Sequence, residues 1–248
     1  MSDFKTRINK ISKNKGKIIL ANDYSNTTKN LEAKTIKNIK TLNKFLCGIK
    51  INFHLLLPLG LKEITRINKL AHKYNLQTIA DIKLNDIGNT NEVTLENLWK
   101  ASFDAVIVNP IMGQVALKKL VSSAHKKQKG IITLCHMSAP DAKVSYEMKI
   151  QLNNSKTTPL YQLFLKSALS NKVDGIIVGA TYPEIIKYCH KKTRENLNIY
   201  SPGIGTQGGK IAEVLNAGSD FLIIGRTILN AKNPVHMAEK FQKLSFMK

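Results

Sequence analysis

A carboxylate and an ammonium stand two positions apart in ADIKLNDIGNT, residues 80–90. If this segment is a strand, Asp81 and Lys83 point to the same side, and Asp86 follows in the connection that leaves it. Lys50, at the end of the preceding apolar run, is placed to join them. Alternating ammonium and carboxylate groups keep one another charged. A lysine held as an ammonium can protonate a developing carbanion, and a carboxylate aimed at a substrate carboxylate disfavours the ground state. The same four residues could instead be ion pairs that close the end of a barrel, and the DxKxxD pattern alone leaves both readings open.

A second group lies far along the chain, where Gly203, Gly205, Gly208 and Gly209 interrupt SPGIGTQGGK. Such a loop before a helix can turn its backbone N–H groups toward an anion. Gln207 adds an amide donor within it, and Gly225 and Arg226 follow the last apolar run directly. Together they suggest a phosphate site. The six histidines (54, 72, 125, 136, 190, 236) show no HxH or HExxH spacing, and Cys47, Cys135 and Cys189 form no CxxC pair. Chemistry without a metal is therefore expected. Neither a Walker loop nor a GxGxxG after the first apolar run is present, which argues against nucleoside triphosphate hydrolysis and nicotinamide chemistry. Cys135 and His136, adjacent in sequence, read as packing or loop residues.

These residues need a scaffold, and the chain supplies a repeating one. Short runs rich in Val, Ile and Leu occur near 17–23, 47–51, 77–83, 105–109, 131–135, 175–179, 199–202 and 221–225. Helix-length amphipathic stretches lie between and after them, near 27–45, 60–74, 90–101, 114–127, 159–170, 183–194, 209–216 and 234–246. Eight βα units in 248 residues predict an α/β fold, a (β/α)8 TIM barrel of one domain spanning residues 1–248. In such a barrel the chemistry sits at the C-terminal ends of the strands. Those ends carry Asn22 and Asp23, Lys50, Asp81 and Lys83, Asn109, then His136 and Ser138. The stretch 137–158 shows no structural signal and reads as a lid. Phe4, Ile8 and Ile11, spaced i, i+4, i+7, predict a short N-terminal amphipathic helix.

Composition sets outer bounds. With 38 Lys+Arg against 17 Asp+Glu, the net charge is +21, which suits an anionic partner. The lysines are spread over polar helix faces without interleaved aromatics, so nucleic acid is a poor expectation. No apolar run approaches the roughly 18 residues that cross a bilayer, so no membrane partner is expected. Three unpaired cysteines fit a reducing, cytoplasmic setting.

Taken together, LANDYS (20–25), GIKINF (48–53), IADIKLNDIGNTNE (79–92), HMSAPDA (136–142), SPGIGTQGG (201–209) and IIGRTILNAKNPV (223–235) resemble the orotidine 5′-phosphate decarboxylase family, particularly its short archaeal-type members. The resemblance covers nearly the whole chain. It implies conversion of orotidine 5′-monophosphate to UMP and CO2, the last step of de novo pyrimidine synthesis, with no cofactor. Lys83 then resembles the proton donor to C6 and Asp81 the carboxylate beside the departing CO2. Lys50 and Asp23 resemble ribose contacts, with Lys50 also linking the charge array. Ser138 resembles the pyrimidine-reading residue on the lid, and Gln207, Gly225 and Arg226 the phosphate site. Asp86 and Thr90 resemble residues that reach into the other subunit's site in a homodimer. Association with an orotate phosphoribosyltransferase is a further possibility that the resemblance raises.

Three positions depart from the family pattern: Gly88 where Pro is common, Asn22 where an apolar or small residue is usual, and GIKINFHL after the second run. None carries an assigned role. A rival reading is a metal-dependent sugar-phosphate decarboxylase or synthase of the same barrel superfamily, acting for example on 3-keto-L-gulonate 6-phosphate. Such an enzyme needs a metal-ligating carboxylate where this chain has Lys50. A non-enzymatic nucleic-acid-binding barrel is the reading that takes the charge at face value.

Overall fold

The computed structural model describes residues 3–25, 27–151, 157–193 and 196–246. Among the described residues there are ten strands: β1 (Ile18–Ala21), β2 (Gly48–Asn52), β3 (Gln77–Leu84), β4 (Ala105–Val108), β5 (Gly130–His136), β6 (Lys149–Gln151), β7 (Thr157–Pro159), β8 (Gly175–Val178), β9 (Asn198–Pro202) and β10 (Phe221–Ile224). All but β6 and β7 are parallel and close into a barrel in the order β1-β10-β9-β8-β5-β4-β3-β2. Helices lie between the barrel strands, as the alternation of apolar runs and amphipathic stretches requires.

Strands buried on both faces read as near-continuous Ile/Val/Leu runs, and the two faces separate cleanly here. Ile19, Ile79, Ile107, Ile132, Leu134, Ile177, Tyr200 and Ile223 fill the barrel interior. Their neighbours Ile18, Leu20, Ile49, Val106, Ile131 and Ile176 pack outward under the helices. The alternation that buries these side chains carries Ala21, Lys50, Asp81 and Gly225 inward at the C-terminal mouth. The same period sets both the core and the site.

The opposite end is plugged. The helix Phe4–Lys15 starts on Asp3, whose side chain accepts from Thr6 N at 2.7 Å. It drives Phe4, Ile8 and Ile11 into the interior cluster, each contributing about 1.5–3 kcal/mol if fully buried. Arg7 donates to Gln77 Oε1 and to Gln128 O, both at 3.0 Å, and Lys15 to Tyr74 O at 2.5 Å. Part of the basic N-terminus therefore serves the barrel's own carbonyls.

Buried aspartates stitch this lower end together. Asp104 Oδ2 accepts from Thr78 N at 2.9 Å and faces His72 Nε2 at 2.8 Å, while Asp174 Oδ2 does the same with Ile131 N and His125 Nε2. Burial alone would raise the Asp104 pKa, but His72, the Thr78 amide and Lys129 hold it below the usual carboxylate range. A depressed carboxyl stabilises the fold above its unfolded value, and that contribution is lost as pH falls through the folded one. Asp104→Asn is expected to cost about 1–3 kcal/mol at neutral pH, read as a lower Tm. The gap between the two proteins should close below about pH 4.

The structure differs from expectation in three places. The helix expected from residue 60 begins at Phe53, directly after β2, and continues past Pro58 with a break at Gly60, where φ is +66°. The stretch 137–158, expected to lack structure, contains a short helix, Ala142–Tyr146, and the β6–β7 hairpin; its residues 152–156 lie outside the described residues. These elements bury too little to carry a hydrophobic period. A further short helix, Arg226–Leu229, follows β10.

Candidate active site

A cavity of about 220 Å³ opens at the C-terminal mouth. Its wall includes Asp23, Lys50, Asp81, Lys83, Ser138, Gln207, Gly225 and Arg226. Eight of the ten residues expected at the site are thus brought together; Asp86 and Thr90 are not among them.

The charged residues form one chain of contacts. Lys50 Nζ lies 2.9 Å from Asp81 Oδ2 and 3.6 Å from Asp23 Oδ1, and it also donates to Asn52 Oδ1. Lys83 Nζ donates to the other Asp81 oxygen, Oδ1, at 2.9 Å. Burial would push the Asp81 carboxyl up, but Lys50 and Lys83 together hold it below its ordinary value. Asp81 is therefore held as a carboxylate in the neutral range. Lys50 is nearly sealed, with 5% of its side chain exposed, whereas 40% of Lys83 is open to the cavity. The difference assigns Lys50 to holding and leaves Lys83 able to meet a substrate.

Lys83 reaches this position through an irregular backbone. The register of β3 against β4 shifts between Asp81 and Leu84, and Lys83 has φ +45°. A non-glycine residue in the left-handed region is strained by about 1–3 kcal/mol and persists where its surroundings over-determine it. Two ion-paired oxygens of Asp81 supply that constraint.

Asp23 is held from behind by a residue that sequence reasoning noted only as a departure. Asn22 is fully buried, donates to Thr35 Oγ1 at 2.8 Å and accepts from Asn38 Nδ2 at 2.9 Å, and its backbone N–H bonds Lys50 O at 3.0 Å. An apolar residue there would remove both of these bonds, leaving Thr35 Oγ1 with Leu31 O and Asn38 Nδ2 with Tyr24 OH. Asp23 Oδ1 itself is buried and makes no hydrogen bond among the described residues; it faces the Lys50 ammonium at 3.6 Å.

The glycine loop differs from its sequence reading. The N–H groups of Gly205, Gly208 and Gly209 bond carbonyls within the loop, and Thr206 N bonds Thr227 Oγ1 at 3.2 Å. Thr227 Oγ1 in turn donates to Ile204 O at 3.0 Å. These amides are spent within the loop rather than pointing at an anion, and the side chains of Gln207 and Arg226 are donors that this end of the cavity retains. Arg226 is exposed and has no ion pair among the described residues. Thr227 was missed because its role is a contact across 21 residues, which no local spacing signals.

Ser138 is wedged between two glycines. A Cβ on Gly179 would stand 2.5 Å from Ser138 Cα, and one on Gly203 would stand 2.9 Å from Ser138 Cβ. Only bare backbone lets the segment after β5 lie this deep in the mouth. Asp86 and Thr90 instead face outward and are exposed. Asp86 Oδ1 accepts from Ile87 N at 2.8 Å, and Asn91, itself buried, donates to the Asp86 carbonyl. No cluster of three or more His, Cys, Asp or Glu fit to hold a metal occurs among the described residues. Between Asp23 and Asp81, where two carboxylates might gather a cation, the Lys50 ammonium already stands.

The chain resembles known proteins in sequence and in fold. Residues 16–241 match the family model "Orotidine 5′-phosphate decarboxylase / HUMPS family". The chain is 34% identical over 209 residues to orotidine 5′-phosphate decarboxylase of Pyrococcus abyssi, covering 84% of this chain and 91% of that one. It superposes on orotidine 5′-monophosphate decarboxylase from Methanocaldococcus jannaschii, complexed with the inhibitor BMP, with TM-score 0.78 and 29% identity over 93% of this chain and 98% of that one. A UMP synthase from Leishmania donovani, at TM-score 0.85, 19% identity and coverage of 100% and 57%, shares the fold.

Proposed function

The chain belongs to the orotidine 5′-phosphate decarboxylase / HUMPS family and decarboxylates orotidine 5′-monophosphate in UMP synthesis; from that premise we propose that it does so without metal or cofactor, by the Asp23, Lys50, Asp81, Lys83 array. The observation that carries this reading is Asp81, bonded on both oxygens at 2.9 Å by two ammonium groups. It leaves Lys83 charged and open to the cavity.

In this reading the phosphate is taken by Gln207 and Arg226, the ribose hydroxyls by Asp23 and Lys50, and the pyrimidine by Ser138. The substrate carboxylate is set against Asp81. The C6–carboxylate bond breaks, its electron pair stays on C6, and CO2 departs. Lys83 delivers a proton from Nζ to C6, and the neutral amine recovers one from water. Relief of the carboxylate pair and neutralisation of the carbanion both occur only beyond the ground state, which is where an interaction accelerates the chemical step. Lys50 supports this branch over the sugar-phosphate one, because an ammonium at that position repels the metal that the latter needs.

The active unit is a homodimer with shared sites. Asp86 and Thr90 leave the mouth on its outer side, beside Ile87, which is 70% exposed. Phe53, Leu57, Val93, Ile111 and Val115 are exposed around them, all on segments that follow β2, β3 and β4. An apolar surface of this kind is what an isologous interface covers. A two-fold axis there would bring each chain's Asp86 and Thr90 to the other's cavity.

The phosphate end gives the test. Binding energy from a remote group can be used at the reacting carbon. Arg226→Ala should lower kcat/KM for orotidine 5′-monophosphate by about 10²-fold or more, as losing a charge-assisted bond to an anion implies. Turnover of orotidine, which lacks the phosphate, should change less than about twofold. Equal losses on both substrates would show that Arg226 is structural.

A further inference from the structure

His136 ends β5 two residues before Ser138 and has no part in the chemistry above. Its side chain is fully buried. Nδ1 lies 2.9 Å from Met137 O, and Nε2 lies 3.4 Å from Glu147 Oε1. A carbonyl and a carboxylate can only accept. The two nitrogens of a neutral imidazole are one donor and one acceptor, so a neutral ring leaves a lone pair against an oxygen. A ring with two protons presents an N–H to each side: Nδ1 bonds the Met137 carbonyl, and Nε2, which makes no hydrogen bond among the described residues, faces Glu147 as an ion pair.

The rest of the surroundings suits a cation. The rings of Tyr182, Tyr146 and Tyr161 stand 4.4, 5.5 and 5.9 Å from the imidazole, and aromatic faces attract a charged ring. Burial raises the hydroxyl pKa of all three, so they stay neutral where imidazoles titrate. The thiol of neighbouring Cys135 is likewise raised, by its bond to Cys189 and by burial. Glu147, Glu184 and Asp141 all act on the Tyr182 hydroxyl, and of these Glu147 is the carboxyl group in contact with the His136 ring.

The position of this pair gives it consequence. The Met137 carbonyl that Nδ1 grips belongs to the peptide entering Ser138. Thr181 Oγ1 holds the Ser138 carbonyl at 3.1 Å, and Tyr182 OH holds the Ala139 carbonyl at 3.1 Å. Glu147 lies just beyond the helix Ala142–Tyr146, at the far end of the same segment. We propose that His136 is a positioning residue, clasping the segment 137–147 over the cavity through Met137 O and Glu147 and so fixing Ser138. The clasp is complete when the imidazole carries two protons and Glu147 none. It weakens when the imidazole loses its second proton.

The inference rests on the decarboxylase reading only for its kinetic consequence. The chemistry of the pair separates it from ordinary packing. In Glu147→Gln an amide N–H₂ can donate to the lone pair of a neutral Nε2, so the clasp persists without the second proton. Glu147→Ala removes it at any pH, and with 30% of the Glu147 side chain exposed the fold tolerates either change. Hydrogen exchange of residues 137–147, expressed relative to unstructured rates, is the measurement. Across a pH series in which the His136 ring resonances report loss of its second proton, wild-type protection should fall by about tenfold or more, the ratio one charge-assisted bond supplies. Protection should stay level in Glu147→Gln and stay low throughout in Glu147→Ala. The Ala variant should raise KM for orotidine 5′-monophosphate by about tenfold with kcat within about twofold. Identical protection and pH dependence in all three proteins would overturn the clasp. A wild-type protein inert on the nucleotide would overturn the decarboxylase reading instead, and the exchange data would still decide the clasp.

Discussion

Lys83→Ala protein should lose turnover by about 10²–10⁴-fold or more, the range a positioned general acid supplies, while still binding UMP. The reason is geometric. Lys83 meets Asp81 at one oxygen, whereas Lys50 keeps the other at 2.9 Å, so the substitution leaves Asp81 paired and ionised. The ribose and phosphate contacts proposed above lie on Asp23, Lys50, Gln207 and Arg226, none of which bonds Lys83. Alanine keeps the Cβ and with it the strain at φ +45°, so no stabilisation is expected from that source. Calorimetry with UMP and a turnover assay separate the two roles. Near-normal kcat in Lys83→Ala would contradict the mechanism, and loss of UMP binding together with turnover would make Lys83 a binding group.

The second large effect is a recovery. Lys83→Ala and Asp86→Ala proteins should each be nearly inactive. If each cavity takes Asp86 from its partner, a mixed dimer places both lesions in one cavity and leaves the other complete. Random exchange gives half heterodimers with one sound site each, so activity should return toward about a quarter of wild type. The placement of Asp86 favours this arrangement. It is exposed, its carbonyl is pinned by Asn91, and its carboxylate is turned to its own chain's Ile87 N. Exchange demonstrated by a tagged subunit, with no recovery, would refute shared sites.

Much of this was legible in the residue pattern, for a physical reason. A strand covered on both faces must be apolar at nearly every position, so IILA, FLII and their counterparts announce a closed parallel barrel. The strands begin and end within about two residues of the apolar runs. Because the interior alternates with the exterior, the inward position beyond the apolar run falls at the mouth, and Asp23, Lys50, Asp81 and Lys83 could be placed there from spacing. What spacing could not show depends on contacts between distant segments. The left-handed backbone at Lys83 is imposed by Asp81 and by the register shift against β4. The glycine loop looked like an anion cradle, but Thr227 and the loop's own carbonyls take its amides. His136 looked like packing, and its meaning lies in Glu147 and three tyrosines brought in by other elements. Asn22 shows the converse. It was visible as an oddity in LANDYS, and Thr35 and Asn38 on the following helix explain it.

The central claim is that an ammonium and carboxylate array performs the decarboxylation with no metal. The direct measurement is the ultraviolet absorbance of orotidine 5′-monophosphate mixed with purified protein that has been exhaustively chelated, with EDTA kept in the assay. The array predicts conversion to UMP at the same rate with or without chelator, and no change on adding magnesium. Turnover that stops under EDTA and returns with magnesium would contradict it.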